Sequence, residues 1–201
     1  HVGSRLFLRR GFNQLLLWLQ GRLGDSRQCE QAEKVRYILL AGDVVDGVGV
    51  YPKQEQELAI KDIYKQYDAA AQYLKAIPDY IDIIIIPGNH DATRSALPSP
   101  AILKQYAQPL YDMPNVHMVG DPAYIQLHGV EFLLSHGVSL QDMVSVPGVS
   151  FKEPAKAQVE LLIRRHVAPI YGGDTPIAPE KRDFLVIERV PDVFQAGHIH
   201  I

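Results

Sequence analysis

The feature that most limits what this chain can fold into is the stretch "IDIIIIPGNHDAT", residues 81–93. Four consecutive isoleucines, residues 83–86, run into Pro87 and Gly88. A short β-branched run bounded by Pro and Gly predicts a strand that is buried on both faces, as in a sheet covered by helices. Asn89, His90 and Asp91 follow at once, at the end of the strand where α/β sheets usually bind ligands. The stretch therefore predicts an α/β protein with a site at this strand exit.

The other apolar runs predict further strands and helices. A second buried strand, residues 37–40, ends at Gly42-Asp43. Strands are also expected at 116–119 and 193–196, with a hairpin of 124–127 and 130–134 around His128-Gly129. Helical spacing predicts helices over 4–20 (with Ser4 as N-cap), 63–77 and 154–167, and a short one through Ala107. Residues 184–189 fit either a strand or a helix. Early alternation followed by antiparallel pairing predicts α/β architecture, a mixed β-sheet sandwich flanked by helices.

Length and composition restrict the class of protein. The 201 residues favour one domain, 1–201. No run approaches the roughly 18 apolar residues of a membrane span, so no membrane association is expected. The single cysteine, Cys29, cannot form an internal disulfide, which favours a reducing, cytoplasmic location. The net charge of −3 argues against binding nucleic acid by bulk positive charge alone.

Residue types that bind metals follow each strong apolar strand. They are Asp43, Asn89, His90, His136, His198 and His200. Imidazole, carboxylate and amide groups together suit a borderline ion such as Mn²⁺, Fe²⁺ or Zn²⁺. These are too many donors for one tetrahedral site, but a pair of ions about 3.5–4 Å apart would use them all.

Each of these motifs alone has an ordinary structural explanation. A Gly-Asp pair after a strand is usually a turn, and a His-x-His pair in a strand is often incidental. The order of the motifs and their places at strand ends favour a site. Surface or turn roles are expected for His117, His128 and His166. We expect Asp46 to stabilise its loop and Arg94 to be solvated.

The ordered motifs resemble those of the calcineurin-like metallophosphoesterases. The motifs are "GDVVD" (42–46), "GNHD" (88–91), "SHG" (135–137) and "GHIH" (197–200). "HVGS" (1–4) resembles the second half of that family's opening Asp-x-His motif, so we expect the chain to be cut at both ends, with the Asp just before residue 1.

That resemblance implies a role for each candidate residue. His1 and His200 would hold one metal ion, completed by the preceding Asp. Asn89, His136 and His198 would hold the other, and Asp43 would bridge the two ions. His90 would stand outside both ions as the general acid, and Asp91 could orient it as a neighbouring carboxylate.

The stretches between the motifs are similar to the small-subunit family of the archaeal D-family DNA polymerases, over nearly all 201 residues. This resemblance implies a metal-dependent 3′→5′ exonuclease, with two divalent ions, that proofreads single-stranded or mismatched 3′ DNA ends. The expected metal is Mn²⁺, with Fe²⁺ or Zn²⁺ as alternatives. The expected partners are a large catalytic polymerase subunit and a sliding clamp. Two alternatives stay open, a catalytically silent scaffold subunit of a DNA polymerase and a small-molecule or protein phosphatase of the same fold.

Overall fold

The structure, a computed structural model, describes residues 1–150 and 152–200. In this part of the chain the helices are α1 (Arg9–Leu19), α2 (Ser26–Ala32), α3 (Ile63–Leu74), α4 (Lys104–Tyr111), α5 (Leu140–Met143) and α6 (Pro154–Arg164). The strands are β1 (Tyr37–Ala41), β2 (Asp82–Ile86), β3 (Val116–Met118), β4 (Ala123–Leu127), β5 (Val130–Ser135) and β6 (Val193–Ala196). A 3-10 turn covers Gln54–Gln56. The described part contains no helix long and apolar enough to cross a membrane.

The strands form two three-stranded sheets rather than one. The first has the order β1-β2-β3 and is parallel throughout, with Ile83 paired to both Ile38 and Val116. The second has the order β4-β5-β6, in which β4 pairs antiparallel and β6 parallel to β5. The predicted α/β class with flanking helices is confirmed, and mixed pairing occurs only in the second sheet.

The isoleucine strand packs on both faces, as its sequence predicts. Successive side chains of a strand point to opposite faces. Ile83 and Ile85 belong to a cluster with residues of α1, α3 and α4. Ile84 and Ile86 instead contact the cluster that contains Leu134 of β5. Both faces of β2 therefore need an apolar side chain, because helices cover one face and the second sheet covers the other.

Helices and loops also cover the remaining face of the second sheet. Leu133 of β5 packs among residues of the segment that follows α6, including Val167 and Leu185. Phe194 of β6 packs against Leu140 of α5 and Leu161 of α6. This arrangement places the carboxyl ends of β1, β2, β5 and β6 in reach of one another.

Several predicted boundaries are wrong, each for a local reason. Helix α1 begins at Arg9, not Ser4, because the chain before it is tied to the β1 exit, with Val2 N–H donating to the Val44 carbonyl at 3.1 Å. Ser4 is no N-cap; its hydroxyl accepts the Leu6 N–H at 3.2 Å. Helix α6 ends at Arg164 because Arg165 adopts a left-handed φ of +53°.

Two helices were not predicted, and residues 184–189 form no regular element. Helix α2 begins with a capping box, in which Asp25 and Gln28 each accept the other's backbone N–H at 2.9 Å. That D-x-x-Q signal was readable in the sequence. Helix α5 has only four residues, too few for helical periodicity to show. In the 184–189 segment, Val186 makes a single bridge to His166.

Candidate metal centre

The exits of β1 and β2 approach each other closely enough to require glycine. A β-carbon at Gly42, where φ is +85°, would lie 2.6 Å from both the backbone nitrogen of Gly88 and Nδ1 of His136. A left-handed φ is readily adopted only by glycine. Because β1 and β2 are parallel neighbours, Asp43 and Asn89 leave the sheet at the same edge.

The carboxylate of Asp43 lies between two histidines. Its Oδ2 is 3.4 Å from Nε2 of His1 and 3.4 Å from Nε2 of His136. Its Oδ1 accepts the backbone N–H of His90 at 3.0 Å. The side chain is only 7% exposed. The carboxylate is therefore shared between the two histidines, as a bridging ligand would be.

The surroundings of His136 fit a cation. Its Nδ1–H donates to the carbonyl of Ala41 at 2.6 Å, so that Nε2 carries a lone pair whenever the ring is neutral. That Nε2 lies 2.9 Å from Oδ1 of Asn89 and 3.2 Å from Nδ1 of His198. Lone pairs facing one another at these distances need a proton or a metal ion between them. A metal-binding histidine usually donates the N–H of its other ring nitrogen to a carbonyl or carboxylate, as His136 does to Ala41.

A second group of donors surrounds His1. Its Nδ1 is 3.2 Å from Oδ1 of Asp46, which leaves Nε2 facing Asp43. The His200 ring centroid lies 5.2 Å from that of His1. The donor atoms of each of three groups lie within 4.8 Å of one another: His1, Asp43 and His200; Asp43, His136 and His198; and His1, Asp46 and His90. The structure thus brings the other five predicted ligands together around Asp43.

The protonation states of Asp43 and His198 favour metal binding. Burial alone would raise the pKa of Asp43, but the hydrogen bond and positive charge of His136 and the backbone N–H of His90 outweigh it and lower that pKa. Burial and the charge of His136 lower the pKa of His198 to about 4. At neutral pH Asp43 is ionised and His198 is neutral, as metal binding requires. Burial alone would lower the pKa of His136, but the hydrogen bond and charge of Asp43 raise it, so an ion would bind there in exchange for a proton.

Two candidate ligands adopt backbone conformations that L-residues avoid. The φ angle is +54° at Asp43 and +65° at His198. Non-glycine residues held there cost on the order of 1 kcal/mol each, and such residues cluster at functional sites. One strained residue lies at the exit of each sheet, next to His136. This supports a functional role for the cluster.

Asp91 does not orient His90, and that prediction is wrong. Its Oδ2 accepts the backbone N–H groups of Gly88 and Val44 at 2.9 and 3.2 Å. Its Oδ1 accepts the N–H of Val45 at 3.3 Å and the Tyr67 hydroxyl at 3.1 Å. The carboxylate is buried beneath the two loops, and burial raises its pKa to about 6.

The His90 ring is held by Asp46 instead. Its Nδ1 lies 2.7 Å from the Asp46 carbonyl. Asp46 therefore contacts His1 through its side chain and His90 through its backbone, which fits the predicted stabilising role of this residue and extends it to the site.

Gln141 contacts His198, which the sequence did not predict. Its side-chain amide lies 2.7 Å from Nε2 of His198, and no local pattern in the sequence marks it. The remaining histidines lie outside the three groups of donors, since His117, His128 and His166 contact Asp82, Tyr37 and Asp183. Arg94 pairs with Glu180 at 2.8 Å.

The fold and the donor set define an α/β protein with a candidate metal centre of imidazole, carboxylate and amide groups at the strand exits of two sheets. The chain belongs to the family of the B subunits of DNA polymerases alpha and epsilon, whose pattern matches residues 3–200. This confirms the predicted resemblance to polymerase small subunits.

Curated relatives match the whole chain. It is 51% identical over 201 residues to the DNA polymerase II small subunit of Archaeoglobus fulgidus, of which it covers 41%. It is 48% identical over 202 residues to that of Pyrococcus furiosus and 46% to that of Methanothermobacter thermautotrophicus, covering 33% and 42% of them. The chain therefore spans 33–42% of the length of these relatives.

Proposed function

We propose that this chain is the metallophosphoesterase domain of the small subunit of an archaeal replicative DNA polymerase, and that it hydrolyses DNA from the 3′ end with two divalent ions. The observation that carries the proposal is the position of the Asp43 carboxylate, 3.4 Å from both His1 and His136. A carboxylate shared by two histidine groups suits two adjacent ions, and such pairs catalyse in-line displacement at phosphorus.

The groups of donors support one assignment of residues to the two ions. His1, Asp43 and His200 would hold one, and Asn89, His136 and His198, with Asp43 shared, would hold the other. Nitrogen and oxygen donors without thiolate suit Mn²⁺, with Fe²⁺ or Zn²⁺ as alternatives. When bound, the two cations neutralise phosphoryl oxygens and lower the pKa of a bound water to give a nucleophile near neutral pH.

The chain's own residues orient the donors and supply a proton. The Ala41 carbonyl fixes His136, and the Asp46 carboxylate fixes His1. His90 is anchored through Nδ1 to the Asp46 carbonyl, which leaves Nε2 free to reach a substrate. In its imidazolium form, His90 would donate the Nε2 proton to the leaving alkoxide, a role that imidazole fills well near neutral pH.

The substrate and partner follow from the relatives. They are small subunits of a polymerase, so we propose a large catalytic subunit as partner and the 3′ ends of DNA strands as substrate. The net charge of −3 favours binding of DNA by the ions and by local cations rather than by the overall charge of this chain.

The test uses the full-length small subunit with Mn²⁺ and an end-labelled single-stranded primer. We expect stepwise shortening from the 3′ end and none with His136→Ala. Equal shortening by His136→Ala would overturn the proposal. A protein that binds its large subunit but leaves the primer intact would be a scaffold. Turnover of p-nitrophenyl phosphate without turnover of DNA would identify a phosphatase.

A further inference from the structure

A cavity of about 400 Å³ adjoins the candidate metal centre on the side of His90. Its lining includes the donors His1, Asp46, His90 and His200, together with Ser4, Leu6, Tyr51 and Glu57. The volume lies within the roughly 300–1,000 Å³ of small-molecule sites. One wall is therefore made of metal-binding groups, and the rest is made of an aromatic ring, a leucine and two polar side chains.

Tyr51 is presented to this cavity rather than to the core. Its ring is 38% exposed and lies 6.1 Å from the ring of His90, centroid to centroid, at 63°. The hydroxyl donates to Oε2 of Glu57 at 2.8 Å, which restricts how the ring can turn. Among the described residues, Tyr51 belongs to none of the four apolar clusters. The ring is thus held in place at the site without packing in the core.

The cavity continues into a second one along the start of α1. This second cavity, of about 560 Å³, shares His1, Leu6 and His200 with the first. Arg5 precedes α1 and Arg9 and Arg10 begin it, and all three are exposed. Within the described part of the chain none of the three forms an ion pair. Exposed arginines without acidic partners favour a negatively charged ligand such as a chain of phosphates.

We propose that Tyr51 stacks on the base of the terminal nucleotide of a single DNA strand while the following phosphates pass the arginines of the α1 start; this inference rests on the proposed function. The scissile phosphate would lie at the metal donors, and the sugar of one nucleotide would span the distance from there to the ring of Tyr51. Stacking on an aromatic side chain tolerates any base, because every base has a π face. Tyr51 would therefore hold the end in place without selecting its sequence.

The test measures binding as well as cleavage. Fluorescence anisotropy with the full-length small subunit and Mn²⁺ would follow an oligonucleotide of about ten nucleotides, within the usual range of single-strand sites. The last linkage of this oligonucleotide is a phosphorothioate, which slows cleavage. Its 3′ terminal nucleotide is either normal or abasic. The variants are Tyr51→Leu, which removes the ring, and Tyr51→Phe, which keeps it. Tyr80→Leu is the matched control, since Tyr80 is 48% exposed and lies before β2, at the strand end opposite the centre.

With the normal end, Tyr51→Leu should raise Kd by at least about fivefold, the lower limit for losing one stacked base. The wild-type protein should bind the abasic end as weakly as Tyr51→Leu binds the normal end. On the abasic end, wild type and Tyr51→Leu should have the same Kd. Tyr51→Phe should stay within about twofold of wild type, and Tyr80→Leu should match it. The comparison of normal and abasic ends with the wild-type protein does not depend on whether any variant folds.

Two results would overturn the stacking role. One is an equal loss of affinity for normal and abasic ends on Tyr51→Leu. The other is no loss at all. The exonuclease proposal fails separately: a wild-type protein that discriminates between the two ends but never shortens the unmodified primer would retain the stacking role without the nuclease.

Discussion

The hydroxyl of Tyr67 joins helix α3 to the turn that carries Asn89 and His90. It donates to Oδ1 of Asp91 at 3.1 Å and accepts the backbone N–H of Ala92 at 2.9 Å. Tyr67 is fully buried and Asp91 is only 6% exposed, so water could hardly replace the hydroxyl beside that carboxylate. The loop with two candidate site residues is therefore positioned from behind by a residue that touches none of the donors.

Tyr67→Phe should accordingly destabilise the protein while leaving its core volume almost unchanged. The Ala92 N–H and one Asp91 interaction would lose their partner, and a buried polar group left unsatisfied costs about 1–3 kcal/mol. The control is Tyr64→Phe in the same helix, where the side chain is 52% exposed and the cost should stay within about 0.5 kcal/mol. Urea unfolding measures both, and equal midpoints for the two variants would contradict the bridging role.

Gly42→Ala should disrupt the centre, and Gly129→Ala offers a control with the same backbone angle. The φ angles are +85° and +86°, but a β-carbon at Gly129 would have no neighbour within 4 Å. Gly129→Ala should therefore cost only the left-handed strain, about 1–2 kcal/mol. Gly42→Ala adds the clash with Gly88 and His136 and should also lower Mn²⁺ affinity. Isothermal titration calorimetry measures the Mn²⁺ affinity of both variants. Unchanged Mn²⁺ affinity in Gly42→Ala would refute the requirement for glycine where the exits of β1 and β2 approach each other.

His90→Ala and His136→Ala should separate proton donation from metal binding. His90 is anchored to a carbonyl through Nδ1, so its loss should reduce DNA cleavage by about 10²–10⁴-fold with two ions still bound. His136→Ala should lose metal and cleavage together. Mass spectrometry for metal content, beside primer degradation, decides between them. Loss of an ion from His90→Ala would make His90 a ligand through its contacts with His1 and Asp46.

Leu134→Ala should show that the two sheets depend on each other. Leu134 is fully buried in the cluster that contains Ile84 and Ile86 of the first sheet, and Leu→Ala in a core costs about 2–5 kcal/mol. Val130→Ala in the same strand, at a side chain 40% exposed, should change stability by about 0.5 kcal/mol or less. A small effect of Leu134→Ala in thermal unfolding would mean that the sheets pack independently.

The strands and the candidate site were the most predictable parts, because local patterns encode them. Four isoleucines in a row are compatible with few structures other than a strand covered on both sides. The His128-Gly129 turn has φ of +51° and +86°, as a tight hairpin with these residue types requires. The site residues could be grouped from the sequence because parallel strands end at a common edge.

Apart from α2, whose capping box is a local signal, and the end of α6, most of what the sequence did not predict depends on contacts between distant segments. The start of α1 is set by the bond from Val2 to Val44, and Asp91 is drawn inward by backbone donors from the β1 exit. Neither contact leaves a local pattern. Gln141 reaches His198 across 57 positions of sequence. The pairing of β1 with β2 and of β5 with β6 brings such residues together.

The donors around Asp43 come from both sheets, with Asn89 following β2 and His136 and His198 following β5 and β6. An ion bound by them would act as a cross-link between two layers that pack on each other through apolar side chains such as Ile86 and Leu134. Its binding energy would then contribute to folding by mass action, by about 2.7 kcal/mol when the free ion exceeds its Kd a hundredfold. Chelation should therefore loosen the docking of one sheet on the other, and metal supply would then help to determine how much of this protein stays folded.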